Sequence, residues 1–438
     1  MRALRGLYLV VGVLIGVLPP FVTVILSLRG FSPLAIGLVM ALTAVGYVVG
    51  LPAWGHLGDV VLGRRGALMI AALGAAVTAL LFGAPLPLPL VALFVVAFYV
   101  AAPGTAMLTD AIAVVALASH PDRYGSFRLL ESGSFAVAAL AAGVLFDATG
   151  YGLAYPLAAA AAVLVAIAAI GIPDVARTRL ADYRDPTPGQ GAGGAGPGAP
   201  VRSVRQRRWT EATGSIGVAI GVAPRLLGVM AAVVLANLGV VASLTFLPLR
   251  IADLGGAPSI IALSATVSAL FEMPAMMVAA RVGARVGLRG LFVVGCGLYV
   301  LAYVAWIVLA DPTLIVVTRP LTGLAYGSLT VTSVLTVGAL LPEGLQASGQ
   351  ALYQMSALGV AAILSDLGGG YLFGTYGHGP VFAASAVAAV LAAIVAWRYV
   401  PSRGEVRLGP SRAAGTLAAE EEPGCACGAA GSPARPTR

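Results

Sequence analysis

The sequence predicts an all-α membrane protein of twelve transmembrane helices, built as two pseudo-symmetric six-helix bundles. Its composition, the number of its long apolar segments and an internal repeat carry that expectation. Of 438 residues, 59% are apolar and only 10% charged, against about 45–50% apolar residues in ordinary soluble domains. The excess lies in Ala, Val, Leu and Gly, the residues of closely packed membrane helices. A soluble fold and intrinsic disorder are both excluded by these numbers.

A helix needs about 20 apolar residues to cross the hydrocarbon core. Segments at about 7–28, 33–57, 67–84, 89–118, 125–147, 151–172, 225–248, 258–280, 290–310, 313–341, 346–373 and 380–399 meet that requirement. The first follows Arg2 and Arg5 and runs about 22 residues with no small-residue cleavage site, so it reads as a membrane helix rather than a cleaved signal. Six segments precede the polar stretch Asp174–Pro224 and six follow it. That stretch, with arginines on both sides of Gly189–Pro200, reads as a flexible cytoplasmic linker. Residues 205–222 within it read either as solvated linker or as an interfacial helix with Arg207, Arg208 and Trp209 at the headgroups. The expected organisation is a first half at 1–173, the linker at 174–224, a second half at 225–400 and a disordered tail at 401–438.

All 26 basic residues are Arg, and the net charge is +8. With the N-terminus placed in the cytoplasm, 23 of the 26 fall on the inner side; only Arg29 and Arg250 fall in outer loops, and Arg319 lies inside a span. The positive-inside rule then puts both termini in the cytoplasm and the chain in the inner membrane. Short arginine clusters between apolar runs are not the basic stripe that nucleic acid requires. Cys296 in an apolar run, with Cys425 and Cys427 in the tail, cannot form a disulfide framework. His56, His120 and His378 lack metal-ligand spacing and no phosphate-cradling loop is present, so no metal, cofactor or enzyme chemistry is expected.

The repeat shows in three places. Gly143, Phe146, Gly150 and Gly152 match Gly370, Phe373, Gly377 and Gly379 at an offset of 227 residues. Pro52 and Ala53 match Pro274 and Ala275 at 222, and Arg65 and Gly66 match Arg289 and Gly290 at 224. Two parallel halves follow, related by an axis along the membrane normal.

These residues resemble the major facilitator superfamily. The segment with Gly55, Gly58, Asp59, Gly63, Arg64 and Arg65 is similar to that superfamily's loop signature between the second and third spans, with one extra residue before Gly63 and Val60 where a basic residue is usual. Arg281, Gly283 and Arg285 form a weaker echo in the second half. Leu108, Thr109 and Asp110, followed by Tyr124, Gly125, Arg128, Glu131 and Gly133, look like the phenylpropionate-permease branch. Glu272 with Pro274 is similar to that branch and to sugar-efflux and oligosaccharide or nucleoside proton symporters. The resemblance implies a secondary active transporter of a small organic solute (sugar, nucleoside or aromatic acid), acting as a monomer in contact with membrane lipid. Proton-coupled efflux of drug-like compounds is the alternative, and a transport-inactive receptor or scaffold a further one.

Ionisable groups at membrane depth cost about 2.5–3.5 kcal/mol each, so each needs a partner or a function. Glu272 falls near the midplane, with Pro274 able to free a backbone carbonyl and Ser268 one turn away, and reads either as a substrate or proton site or as a structural ion pair. Asp110 and Arg128 lie at similar depth on consecutive spans and are expected to form a salt bridge, with Glu131 competing for the guanidinium as a proton-linked gate. Arg319 either snorkels or holds a ligand beside Thr322, Tyr326 and Thr330, and Asp366 is its candidate partner. Asn237 is a further candidate binding group, and Asp59, Arg64 and Arg65 are expected to latch the cytoplasmic seam between the halves. Without an ATP site, energy must come from an ion gradient, and titratable carboxylates beside arginine point to H+.

Overall fold

The computed structural model describes residues 1–117, 123–172, 217–342, 345–403 and 405. Among these, twelve helices are long and apolar enough to cross a membrane. They are α1 Arg2–Leu28, α2 Pro33–Val61, α3 Gly63–Gly83, α4 Leu88–Ala116, α5 Tyr124–Thr149, α6 Tyr151–Ile170, α7 Arg225–Asp253, α8 Pro258–Ala279, α9 Arg281–Val308, α10 Pro312–Leu340, α11 Ser348–Tyr376 and α12 His378–Tyr399. Val137, Leu301, Ile394 and Trp397 stand exposed on their outward faces, as lipid contact requires. The protein is a multi-pass membrane protein.

Local chemistry sets the helix ends. Pro33, Pro258 and Pro312 open their helices, where the missing N–H costs nothing. Ser32 Oγ accepts the Ala35 N–H at 3.2 Å, and Asp311 Oδ1 accepts the Thr313 N–H at 2.7 Å. Helix α1 starts at Arg2, earlier than its apolar run, and is interrupted by a 3-10 turn at Pro19–Phe21 where two prolines remove donors. Helix α2 ends in a π-helical turn, Leu57–Val61, that carries Asp59. Residues 217–222 are helical, so the end of the stretch read as linker is ordered. Arg207, Arg208, Trp209, His120, Cys425 and Cys427 lie outside the described residues.

The backbone repeats as the sequence does. Six glycines adopt left-handed φ, in three pairs: Gly30 and Gly255, Gly63 and Gly287, Gly150 and Gly377. Each pair joins corresponding helices of the two halves, at offsets close to those of the sequence repeat.

Four arginines repeat with them. Arg29 donates to the Gly83 and Ala84 carbonyls closing α3 at 2.8 and 3.1 Å, and Arg250 donates to Leu309 O beyond α9 at 3.2 Å. At the opposite end Arg65 reaches Ile172 O beyond α6 at 3.5 Å, and Arg289 donates to Val400 O beyond α12 at 2.9 Å. In every case a guanidinium sits on the carbonyl end of a helix, where the dipole is negative. The two arginines that the topology assigns to outer loops therefore act as helix clips.

The halves meet through α2 against α11 and α5 against α8. A Cβ at Gly37 would collide with Asp366 O, and one at Gly143 would lie 2.9 Å from Ser259 Cα and 2.7 Å from Ala262 Cβ. Ser259 N–H donates to Asp147 Oδ1 at 2.9 Å across the same seam. These contacts cluster toward the end that carries Arg29 and Arg250.

At the other end the polar contacts stay within one half. Arg64 pairs with Asp59 at 2.9 Å and donates to Ala111 O at 2.8 Å, and Arg403 donates to Arg285 O at 2.8 Å. Asp59 and Arg64 form the expected charge pair, and Arg64 and Arg65 reach the Ala111 and Ile172 carbonyls of their own half.

Gly37→Leu and Gly143→Leu should each lower the thermal midpoint of the detergent-purified protein, at a cost of about 1–3 kcal/mol from overpacking. Gly133→Ala, where a Cβ meets nothing within 4 Å, is the control, and equal midpoints for all three would refute the packing assignment.

Candidate functional site

In the first half the polar cluster is assembled by close approach of α1 to α5. Gly12 and Gly16 lie one turn apart on α1. A Cβ at Gly12 would collide with Glu131 O, and one at Gly16 would come within 2.6 Å of Phe135 O. That contact brings Tyr8 onto Asp110, its hydroxyl donating to Oδ1 at 2.7 Å. Arg128 Nη1 bonds Asp110 Oδ2 at 3.1 Å and Glu131 Oε2 at 2.9 Å. The expected salt bridge forms, and both carboxylates share one guanidinium instead of excluding each other. Glu131 is 9% exposed, whereas the Arg128 side chain is 48% exposed, so the cluster is open on the arginine side.

Sequence reasoning missed Tyr8. The available signal was a tyrosine in an otherwise apolar helix, one turn before the Gly12 and Gly16 pair.

In the second half Glu272 is placed by glycine in the same manner. A Cβ at Gly323 would collide with Ser268 O, and one at Gly327 would lie 2.9 Å from Glu272 O and 2.7 Å from Ala275 Cβ. Helix α10 therefore lies flush against the backbone of Glu272, and Ser268 and Thr322 hydroxyls meet beside it at 3.1 Å. Glu272 is partly buried and has no salt bridge among the described residues.

Arg319 and Asp366 do not pair, which corrects the sequence expectation. Arg319 is 5% exposed; its Nε donates to Ser264 O at 3.0 Å, its guanidinium lies over the Trp306 ring at 5.6 Å, and Nη1 finds no acceptor. It neither snorkels nor joins a stripe with Tyr326 and Thr330, because its side chain is taken by α8 and the aromatic ring. Asp366 is 2% exposed and accepts the Thr245 hydroxyl at 2.7 Å, on the helix that packs against Gly37. Asn237 turns back onto Val233 O of its own helix at 2.9 Å, yet it lines a small cavity with Tyr326, Thr330, Ser333 and Tyr353. Among the described residues no group of three His, Cys, Asp or Glu side chains is placed to hold a metal ion.

Tyr8, Asp110, Arg128 and Glu131 form one polar cluster in the first half, and Glu272 lies in the second at the α8–α10 contact, beside the Ser268–Thr322 hydroxyl pair. Carboxylates and hydroxyls of this kind can bind a polar solute and exchange a proton. In a thermal double-mutant cycle, Arg128→Met should destabilise by about 1–2 kcal/mol, discounted for the exposure of the arginine, and adding Glu131→Gln should restore part of that loss. Strict additivity would show that the two groups are not coupled.

The comparisons agree with this geometry. Maltose permease from Geobacillus stearothermophilus is 26% identical over 383 residues, covering 87% of this chain and 89% of that protein. The solved structure of the nucleoside transporter NupG aligns with a TM-score of 0.71 at 14% identity, over 91% of this chain and 98% of that one. A D-xylose-proton symporter aligns at 0.65 and 16% identity, over 93% and 98%. A family model described as the MFS_1 like family matches residues 1–384. This match, over most of the chain, establishes that the chain belongs to the MFS_1 like family of major facilitator transporters.

Proposed function

We propose that this protein is a proton-coupled secondary transporter of a small hydroxylated solute of the sugar or nucleoside class, working by alternating access of its two halves. The observation that carries the reading is Glu272, a partly buried carboxylate with no salt bridge among the described residues, fixed by Gly323 and Gly327 where α10 lies against α8. A proton or a solute hydroxyl at Glu272 changes the attraction between the halves, which couples occupancy to their relative position. The Asp110, Arg128 and Glu131 cluster serves as the proton-linked gate, since protonation of either carboxylate releases a guanidinium bond. Close packing at the Arg29 end and separate clips at the Arg64 end fit one of two states. The arginine distribution supports a cytoplasmic Arg64 end and cytoplasmic termini in an inner-membrane protein. The names of the maltose, nucleoside and xylose transporters support the substrate class.

In proteoliposomes under an inward proton gradient, a panel of disaccharides, pentoses and nucleosides should include one that accumulates saturably. Glu272→Gln should reduce gradient-driven accumulation at least tenfold while leaving downhill exchange measurable. Undiminished accumulation by Glu272→Gln would remove the central assignment. Alkalinisation of the lumen as solute enters would indicate antiport and favour the efflux alternative.

A further inference from the structure

Helices α9 and α12 leave an apolar groove of about 500 Å³ between them, lined by Val293, Cys296, Gly297, Val300, Ile394 and Trp397 among others. It lies away from the seam between the halves, and Val390, Ile394 and Trp397 beside it are 46%, 61% and 62% exposed, so it opens to the surrounding lipid. From Ala389 to Trp397 it runs roughly 12 Å along α12, close to one leaflet of a hydrocarbon core about 30 Å thick. Gly297 makes the space: a Cβ there would meet nothing within 4 Å. The offset of 224 residues that relates Arg65 to Arg289 relates Leu73 to Gly297, so the first half carries a leucine side chain where the second has none.

One end of the groove is polar and strongly basic. The Arg289 guanidinium lies over the Trp397 ring at 5.8 Å, and Arg398 follows with its own guanidinium over Tyr399 at 5.9 Å. Arg225, Arg285 and Arg403 belong to the same end, and the one carboxylate described among them is Glu405. A backbone N–H from Ser402 and the Arg225 guanidinium hold the Glu405 carboxyl below the usual carboxylate range. Even with Glu405 ionised, four positive charges remain over. A one-leaflet apolar slot that ends in an indole and an excess of guanidinium matches a lipid with one chain to bury and a negative headgroup.

We propose that the groove between α9 and α12 binds one anionic phospholipid, its acyl chain lying along Gly297 and its phosphate meeting Arg289 and Arg398. The lipid braces the second half at the end where the protein's own clips already gather, and it does so without touching the transport cavity.

The test is a thermal melt of the delipidated protein in detergent, with native mass spectrometry, titrated with phosphatidylglycerol, with phosphatidylcholine of the same chains, and with glycerol phosphate. Phosphatidylglycerol should raise the midpoint saturably by several degrees and appear as one bound lipid; phosphatidylcholine should give less than a third of that shift, and glycerol phosphate none. Gly297→Leu, which copies the residue of the first half, should abolish the shift while solute flux is retained. Should that variant lose its cooperative melt, Gly297→Ala and Arg398→Gln carry the test, each weakening the lipid titration severalfold. Equal shifts from the two lipids, a full shift from glycerol phosphate, or a phosphatidylglycerol shift that survives both Gly297→Leu and Arg398→Gln would overturn the proposal. A dimer that Gly297→Leu converts to monomer would assign the groove to a second copy of the chain and overturn it equally.

Discussion

Backbone-to-backbone approach through glycine is the constraint on which this structure depends. In lipid no hydrophobic gain drives helices together, so association rests on van der Waals packing and hydrogen bonds, and both need the helices near one another. Gly12 and Gly16 set α1 on α5, Gly323 and Gly327 set α10 on α8, and Gly37 and Gly143 set the two halves against each other. Three of these crossings carry polar groups: Tyr8 of α1 donates to Asp110 at 2.7 Å, Glu272 lies at the α8–α10 contact, and Asp366, beside the α2–α11 contact, accepts the Thr245 hydroxyl at 2.7 Å.

Arginine does two separate jobs in this chain. Four guanidinium groups cap the carbonyl ends of α3, α6, α9 and α12, following the pseudo-symmetry. Arg128 breaks the symmetry: it sits half exposed between two carboxylates. Arg319 is different again, fully enclosed against Trp306 and the Ser264 carbonyl, with one nitrogen unsatisfied. Residue type and depth alone would not separate these roles. Their neighbours do.

The halves are alike in backbone and unlike in side chains. The left-handed glycines and the arginine clips recur, while the carboxylate count, the aromatic wall of Tyr299, Tyr303 and Trp306, and the Leu73 to Gly297 difference do not. A repeated backbone frame thus holds two different sets of side chains.

The sequence by itself determined the class, the spans and the repeat. Those follow from hydropathy summed over about 20 residues and from glycine and arginine positions, and such sums are local. Depth was equally legible, so the pairing of Asp110, Arg128 and Glu131 on consecutive spans could be anticipated. Rotation of one helix against another was not legible. Only the tertiary structure decided that Arg319 turns to Ser264 and Trp306 instead of Asp366, that Arg64 and Arg65 clip their own half, and that Tyr8 donates to Asp110. The physical reason is that a helix in lipid is apolar on every side, so no amphipathic face announces which side meets a neighbour. Which glycine faces which backbone settles it, and that is a property of the assembled bundle.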